Sequence, residues 1–257
     1  MADIKEEEAN IENTETSENE QVEEVVEESA PRVVDPTLEG IQFFYETHKK
    51  KINYIGGGLL AIIGLFCAYK FYWLPEKEKE ASNEIFFAQD YFEKDSFNLA
   101  LNGGRMVRSA DGDKTMKGFT EIADEYWMTK TGNLAHYYAG ISYLRLGQFE
   151  KAIEELQKYS GSDEMIAPIA VGAVGDANME LNKADEAIKF YLKAADMRLN
   201  NFTTPIYLKK AAFAYELQNN FAEALGLYER IKKEYSKSNE AREIEKNIAK
   251  VKTQGNL

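Results

Sequence analysis

Aligned on Ala152, Ala187 and Ala224, the strings GQFEKAIEELQKY, NKADEAIKFYLKA and NNFAEALGLYERI repeat one helical pattern at intervals of 35 and 37 residues. A unit that short cannot bury its own apolar face, so successive copies must stack into a helical array. Gly140, Gly175 and Ala212 stand twelve residues before each alanine, small side chains where two helices can touch closely. Tyr143 and Tyr215 stand nine before it, and Asn178 departs from them in the middle copy. Phe149 and Phe221 open each second helix, with Ala184 as a weaker substitute. Leu156, Tyr191 and Tyr228 follow four after the alanine, one helical turn on and so on the same face. Pro168 and Pro205 both fall nineteen before it, where a helix start tolerates a missing N–H. They take no part in the alignment, so they check its register independently.

Small residues at close contacts and large ones in the gaps, at a period near 34, resemble the tetratricopeptide repeat. A degenerate copy comes first, marked by Tyr91, Phe97 and Ala100. Its second helix is interrupted by NGGRMVRSADGDKTMKG, and a helical pattern resumes at Phe119, Ile122 and Tyr126, ending at Thr129 to Thr131. Within the interruption, Asp111 and Asp113 begin an EF-hand-like string. Met116 stands where that loop needs glycine and Ile122 where it needs glutamate, which argues against calcium.

Residues Ile52 to Trp73 form a second constraint, and Tyr54 to Tyr69 carry no charge. As a helix the stretch reaches about 33 Å, enough to cross a hydrocarbon core of about 30 Å. Tyr69, Phe71, Tyr72 and Trp73 crowd its far end, where rings favour the lipid–water boundary, and Lys70 can snorkel out. Gly56, Gly58 and Ala61 formally satisfy a dinucleotide fingerprint, but uninterrupted apolar sequence denies it the strand–turn–helix context it needs. No small-residue cleavage site follows the run, and Phe66 before Cys67 is a poor lipoprotein box. Lys49, Lys50 and Lys51 precede the span, while Lys77 and Lys79 follow it; the bias places the N-terminus in the cytoplasm. Gly57, Ala61, Gly64 and Ala68 form a narrow stripe that would let another membrane helix approach.

The net charge of −13 is unevenly spread. Residues 1–30 hold twelve acids against Lys5, leaving −2 for everything after them. With no aromatic and few aliphatics, this tail cannot offset the entropy of ordering and is expected to be disordered. Asp35 and Pro36 suit an N-cap and first helical position. Leu38, Ile41, Phe44, Tyr45 and His48 then recur at helical spacing, either as a helix in the headgroup layer or as the end of the anchor helix. The organisation expected is a disordered tail over 1–34, a juxtamembrane amphipathic segment over 35–51, and a transmembrane helix over 52–73. A degenerate repeat over 74–132 and three tetratricopeptide-like repeats with a C-terminal helix over 133–257 complete an all-α α-solenoid.

No P-loop, H-E-x-x-H, Cys/His cluster or G-x-S-x-G appears after the span, so neither an enzyme, a cofactor nor a metal site is expected. His136 falls at a repeat position commonly held by a core aromatic, and packing is its expected role. Helical phase puts Tyr137, Ile141 and Arg145, then Asp176 and Met179, then Lys209, Phe213 and Glu216 on the face of each first helix that recognises another protein. Their mix of apolar and oppositely charged groups suits varied extended polypeptide and gives no basis for nucleic-acid binding.

The acidic tail, single span and repeat domain resemble the bacterial ancillary SecYEG translocon subunit (YfgM-type) family. GFTEIADEYWMTKTGNLAHYYAGISYLRLGQFEKAIEEL and NFTTPIYL at Asn201 to Leu208 look like segments of its Bacteroidetes-type members. The resemblance covers most of residues 40–250. It implies an inner-membrane protein beside SecYEG, with a periplasmic repeat domain, a periplasmic chaperone and exported polypeptides as partners. A structural scaffold for another cell-envelope complex is the alternative.

Overall fold

A computed structural model describes residues 36–109 and 112–257; the acidic tail and Asp111 lie outside the described residues. The chain divides into two compact units, one ending at Leu59 and one running from Leu60 to Leu257. Helix α1, Pro36–Ala68, begins at the proline expected at a helix start and runs unbroken past residue 51. Residues 36–51 form the first part of this one helix. Gly56, Gly58 and Ala61 lie inside it, with no strand or turn to form a phosphate loop.

A π-helical turn, Tyr69–Trp73, joins α1 to α2, Leu74–Glu93. Its cause is Pro75, which has no N–H to offer the preceding turn and whose ring crowds the carbonyl four residues back. The backbone widens instead, and the Leu74 N–H reaches the Tyr69 carbonyl five residues earlier.

Short turns then pair the helices. The pairs are α2 with α3 (Phe97–Asn102), α5 (Lys130–Arg145) with α6 (Phe149–Lys158), α7 (Ile166–Glu180) with α8 (Ala184–Met197), and α9 (Thr203–Leu217) with α10 (Phe221–Glu234). Each of the four turns places the residue five before the aligned alanine in left-handed backbone: Asp95, Gly147, Asn182 and Asn219. Glycine, asparagine and aspartate tolerate that conformation best. The next N–H closes each turn on the carbonyl of the residue nine before the alanine: Ser96 on Tyr91, Gln148 on Tyr143, Lys183 on Asn178 and Asn220 on Tyr215, at 2.8–2.9 Å. The degenerate first copy thus shares its turn closure with the three later ones. These closures also explain Asn178, whose buried side-chain amide donates to the Val174 carbonyl of its own helix at 2.8 Å.

The all-α expectation is corrected between α3 and α5. The interrupting string forms an antiparallel hairpin, β1 (Gly103–Ser109) with β2 (Gly112–Lys117), followed by α4, Phe119–Glu125. A bulge lies between Gly103 and Met106, and Gly103 takes φ 67°, where a Cβ would collide with the Met116 carbonyl. Met116 drives into the core at 1% exposure, and the Lys114 ammonium bonds Glu84 of α2 at 2.8 Å. Met116 therefore serves as a core anchor. Phe119, Ile122 and Tyr126 are buried as their spacing predicts.

Three cores run along the second unit. Ile85, Leu101, Phe119, Ile122 and Tyr126 fill the first, Leu156 and Val174 the second, and Tyr191, Leu208, Tyr228, Ile231 and Ile248 the third. A 3₁₀ turn, Glu240–Glu243, leads into α11, Ile244–Gly255, which covers the last apolar face. Helices meet closely where the small residues stand. A Cβ on Gly140 would lie 2.5 Å from Leu156 Cγ, one on Gly175 would lie 2.6 Å from the Tyr191 ring, and one on Gly172 would collide with the ring of Tyr207.

Gly172→Ala is therefore expected to destabilise the repeat unit by about 1–2 kcal/mol. Overpacking costs about 1–3 kcal/mol and outweighs a helix-propensity gain of about 1 kcal/mol. Gly226→Ala, at an exposed α10 position with open space around it, should stabilise by about 0.5–1 kcal/mol. Thermal unfolding of both variants checks the contrast; equal shifts would contradict the packing.

Candidate protein-interaction surface

The first helices of successive repeats, α5, α7, α9 and then α11, carry two depressions. One, of about 750 Å³, is lined by Tyr137, Ile141, Arg145, Asp176 and Met179 together with Leu144, Phe149, Tyr191 and Tyr207. The other, of about 800 Å³, is lined by Met179, Lys209, Phe213 and Glu216 together with Ile206, Lys210, Tyr228 and Lys250. Met179, Glu180 and Tyr191 belong to both, so the two adjoin. Among the first-helix residues selected by phase, Arg145 and Phe213 are exposed and the other six are half-buried.

Two carboxylates on this surface, Asp176 and Glu216, are already engaged. Asp176 accepts the Tyr191 hydroxyl at 2.7 Å and the Lys210 ammonium at 2.7 Å through both its oxygens. Glu216 accepts the Tyr228 hydroxyl at 2.6 Å and the Lys250 ammonium at 2.6 Å. Each acid thus holds a tyrosine from its own repeat and a lysine from the helix that follows. Burial pushes the Tyr191 phenol well above its ordinary value, and the Asp176 charge adds to the shift. The same two causes, burial and then Glu216, act on Tyr228. Both phenols therefore remain donors throughout the physiological range. Lys210 also lies 5.7 Å over the Tyr191 ring and 5.6 Å over that of Tyr207.

Tyr191 and Tyr228 are core residues by repeat position, and nothing in helical phase marks their hydroxyls as surface groups. Lys210 and Lys250 follow Asp176 and Glu216 by 34 residues, one repeat length, and that spacing is the signal for them. Arg145 leans over the Phe97 ring at 5.8 Å, linking this surface to the first repeat unit. Around Met179, the apolar side chains of Ile206 and Phe213 (52% exposed) face solvent between fixed charges of both signs.

His136 does not serve as a plain core aromatic. Its Nδ1 lies 2.7 Å from Glu155 Oε2, and the other Glu155 oxygen accepts Lys158 at 2.9 Å, joining α5 to α6 by a polar cluster. Asp113, from the EF-hand-like string, lies 3.4 Å from the Arg108 guanidinium across the hairpin. In the small-residue stripe of α1, Gly57 and Gly64 have no atom within 4 Å of an added Cβ, and Ala61 and Ala68 are exposed.

Two segments, residues 134–161 and 208–238, match the tetratricopeptide repeat family model. They cover most of α5 with α6 and of α9 with α10. Among solved structures, the chain is similar to a Podosopora anserina protein described as a kinesin light chain with nearly identical TPR-like repeats, and to a variant of it. Identity is 13% and the TM-score 0.46 in both cases, covering 71% of this chain and 87% or 86% of the other. A search of curated proteins finds no match. The chain carries tetratricopeptide repeats, a mostly helical array of the kind that mediates protein–protein interaction.

Acid should weaken the α5–α6 link in a defined direction. Burial alone would raise the Glu155 pKa, but the bonds from His136 and Lys158 outweigh it and hold the group below 4.5. A depressed folded pKa contributes stability above the unfolded value, and that stability is lost as pH falls through the folded one. Glu155→Gln should lower the melting temperature at neutral pH and flatten its decline below pH 4.5. Melting curves across that range decide it; an unchanged acid slope would show that the carboxylate does not contribute.

Proposed function

We propose that this chain is a membrane-anchored interaction protein that assists protein export beside the SecYEG translocon. In this reading the helical run Ile52 to Trp73 spans the inner membrane, with Lys49 to Lys51 on the cytoplasmic side and the repeats in the periplasm. The observation that carries the interaction role is the pair of adjoining depressions on the first helices. Their apolar side chains are separated by acid–lysine pairs already held in place, so a bound segment meets fixed charges of both signs. Such a surface accepts varied extended polypeptide in preference to one strongly charged ligand.

Tyr137, Ile141, Arg145, Asp176, Met179, Lys209, Phe213 and Glu216 form the binding face in this proposal, for exported polypeptides or a periplasmic chaperone. The stripe of Gly57, Ala61, Gly64 and Ala68 is the face offered to a translocon helix or to a second copy. The export role rests on the resemblance of the tail, span and repeat strings to ancillary SecYEG subunits.

Crosslinking followed by purification in mild detergent tests the partner. SecY, SecE and SecG are expected with the chain; their absence, with enzymes of another envelope complex recovered instead, would establish the scaffold alternative. Protease added to spheroplasts should cut the repeat unit. An uncut repeat unit, with a known periplasmic domain cut in the same sample, would reverse the orientation.

A further inference from the structure

We propose that the turn between α4 and α5 is a second membrane contact, with Trp127 and Met128 seated in the headgroup layer of the bilayer that holds the anchor helix. The proposal rests on the span reading above and adds a lipid-facing site within the repeat unit. Trp127 is 66% exposed and Met128 42%, large apolar side chains at adjacent positions of one tight turn. Their position is set by the end of the anchor. The Tyr69 hydroxyl lies 3.1 Å from Met128 Sδ, and Trp73 and Lys77 share a small cavity with Trp127 and Met128.

The turn is held there from below. Glu78, one helical turn beyond Leu74, accepts the Lys130 N–H at 2.6 Å, the Thr131 N–H at 3.1 Å and the Thr131 hydroxyl at 2.7 Å. Thr129 Oγ1 accepts from the Gly132 N–H at 2.9 Å and completes the α5 cap. A turn whose α5 end is bonded to α2 in this way cannot swing away independently. If Tyr69, Tyr72 and Trp73 lie at the lipid–water boundary, Met128 lies at the depth of Tyr69 and Trp127 beside it.

The residue types fit that depth. Tryptophan favours the interface because its ring is amphipathic, and Lys70 beside it suits anionic headgroups. In water Trp127, Met128, Tyr72 and Trp73 would stand exposed near one another, whereas a headgroup layer would cover them. The consequence is orientation. Two contacts with the bilayer, the helix and the turn, restrict how the repeat unit can tilt on the membrane surface.

The chain's two tryptophans, Trp73 and Trp127, make the test direct. Full-length Trp73→Phe and Trp127→Phe proteins would be reconstituted into phosphatidylethanolamine–phosphatidylglycerol vesicles carrying lipids brominated near the top of the acyl chain. Trp127 emission in Trp73→Phe is expected to be quenched to an extent comparable with that of Trp73 in Trp127→Phe. Quenching of Trp73 alone, with Trp127 still reached by aqueous iodide, would overturn the turn contact and leave the span intact. Absence of quenching at both would overturn the span and the contact with it.

Discussion

Close approach of paired helices at glycine and alanine is the constraint on which the repeat unit depends. Leu156 sits against Gly140 and the Tyr191 ring against Gly175, within single repeats, while Tyr207 sits against Gly172 across two. A side chain seated in such a notch has one orientation, because protein interiors are packed too densely to allow a second. The Tyr191 hydroxyl emerges from its notch onto Asp176, and the Tyr228 hydroxyl reaches Glu216 in the same way. Core packing thereby sets the electrostatics of the outer surface. Lys210 and Lys250 complete each pair from the following helix, so the charge pattern exists only in the stacked array.

Much of this was legible in the spacing of Ala152, Ala187 and Ala224, because a repeat contact needs a small residue at a fixed offset. Separately, the helical spacing of Phe119, Ile122 and Tyr126 marked the residues that α4 and its end bury. The hairpin was not legible. Its strands are short, mostly polar and solvent-exposed, with Met116 the buried residue among them, so no alternation of apolar side chains announces them. The π turn at Tyr69–Trp73 was equally hidden, since Pro75 also fits an ordinary helix start. On the candidate surface, helical phase identifies outward-facing first-helix positions but says nothing of hydroxyls arriving from second helices. That is why Tyr191 and Tyr228 register in the sequence as core alone.

The two irregular pieces have a common effect. The widened turn carries α1 into α2 without a break in the helix, and Glu78 then ties the α4–α5 turn back to α2. Lys114 and Met116 bind the hairpin to the same helix and its core. Helix α2 is thus the element through which the π turn, the hairpin and the first repeat are joined. In the proposed arrangement, the binding face is held at a defined attitude to the membrane from which exported segments emerge.

In the proposed function, the surface of the first helices holds extended polypeptide. Photocrosslinkers placed in living cells at Lys209 and Phe213, and for comparison at Ala222 and Gly226 on α10, test it most directly. Adducts with exported proteins or a periplasmic chaperone are expected from Lys209 and Phe213 and not from the α10 positions. Equal labelling from both faces, or adducts from α10 alone, would contradict it.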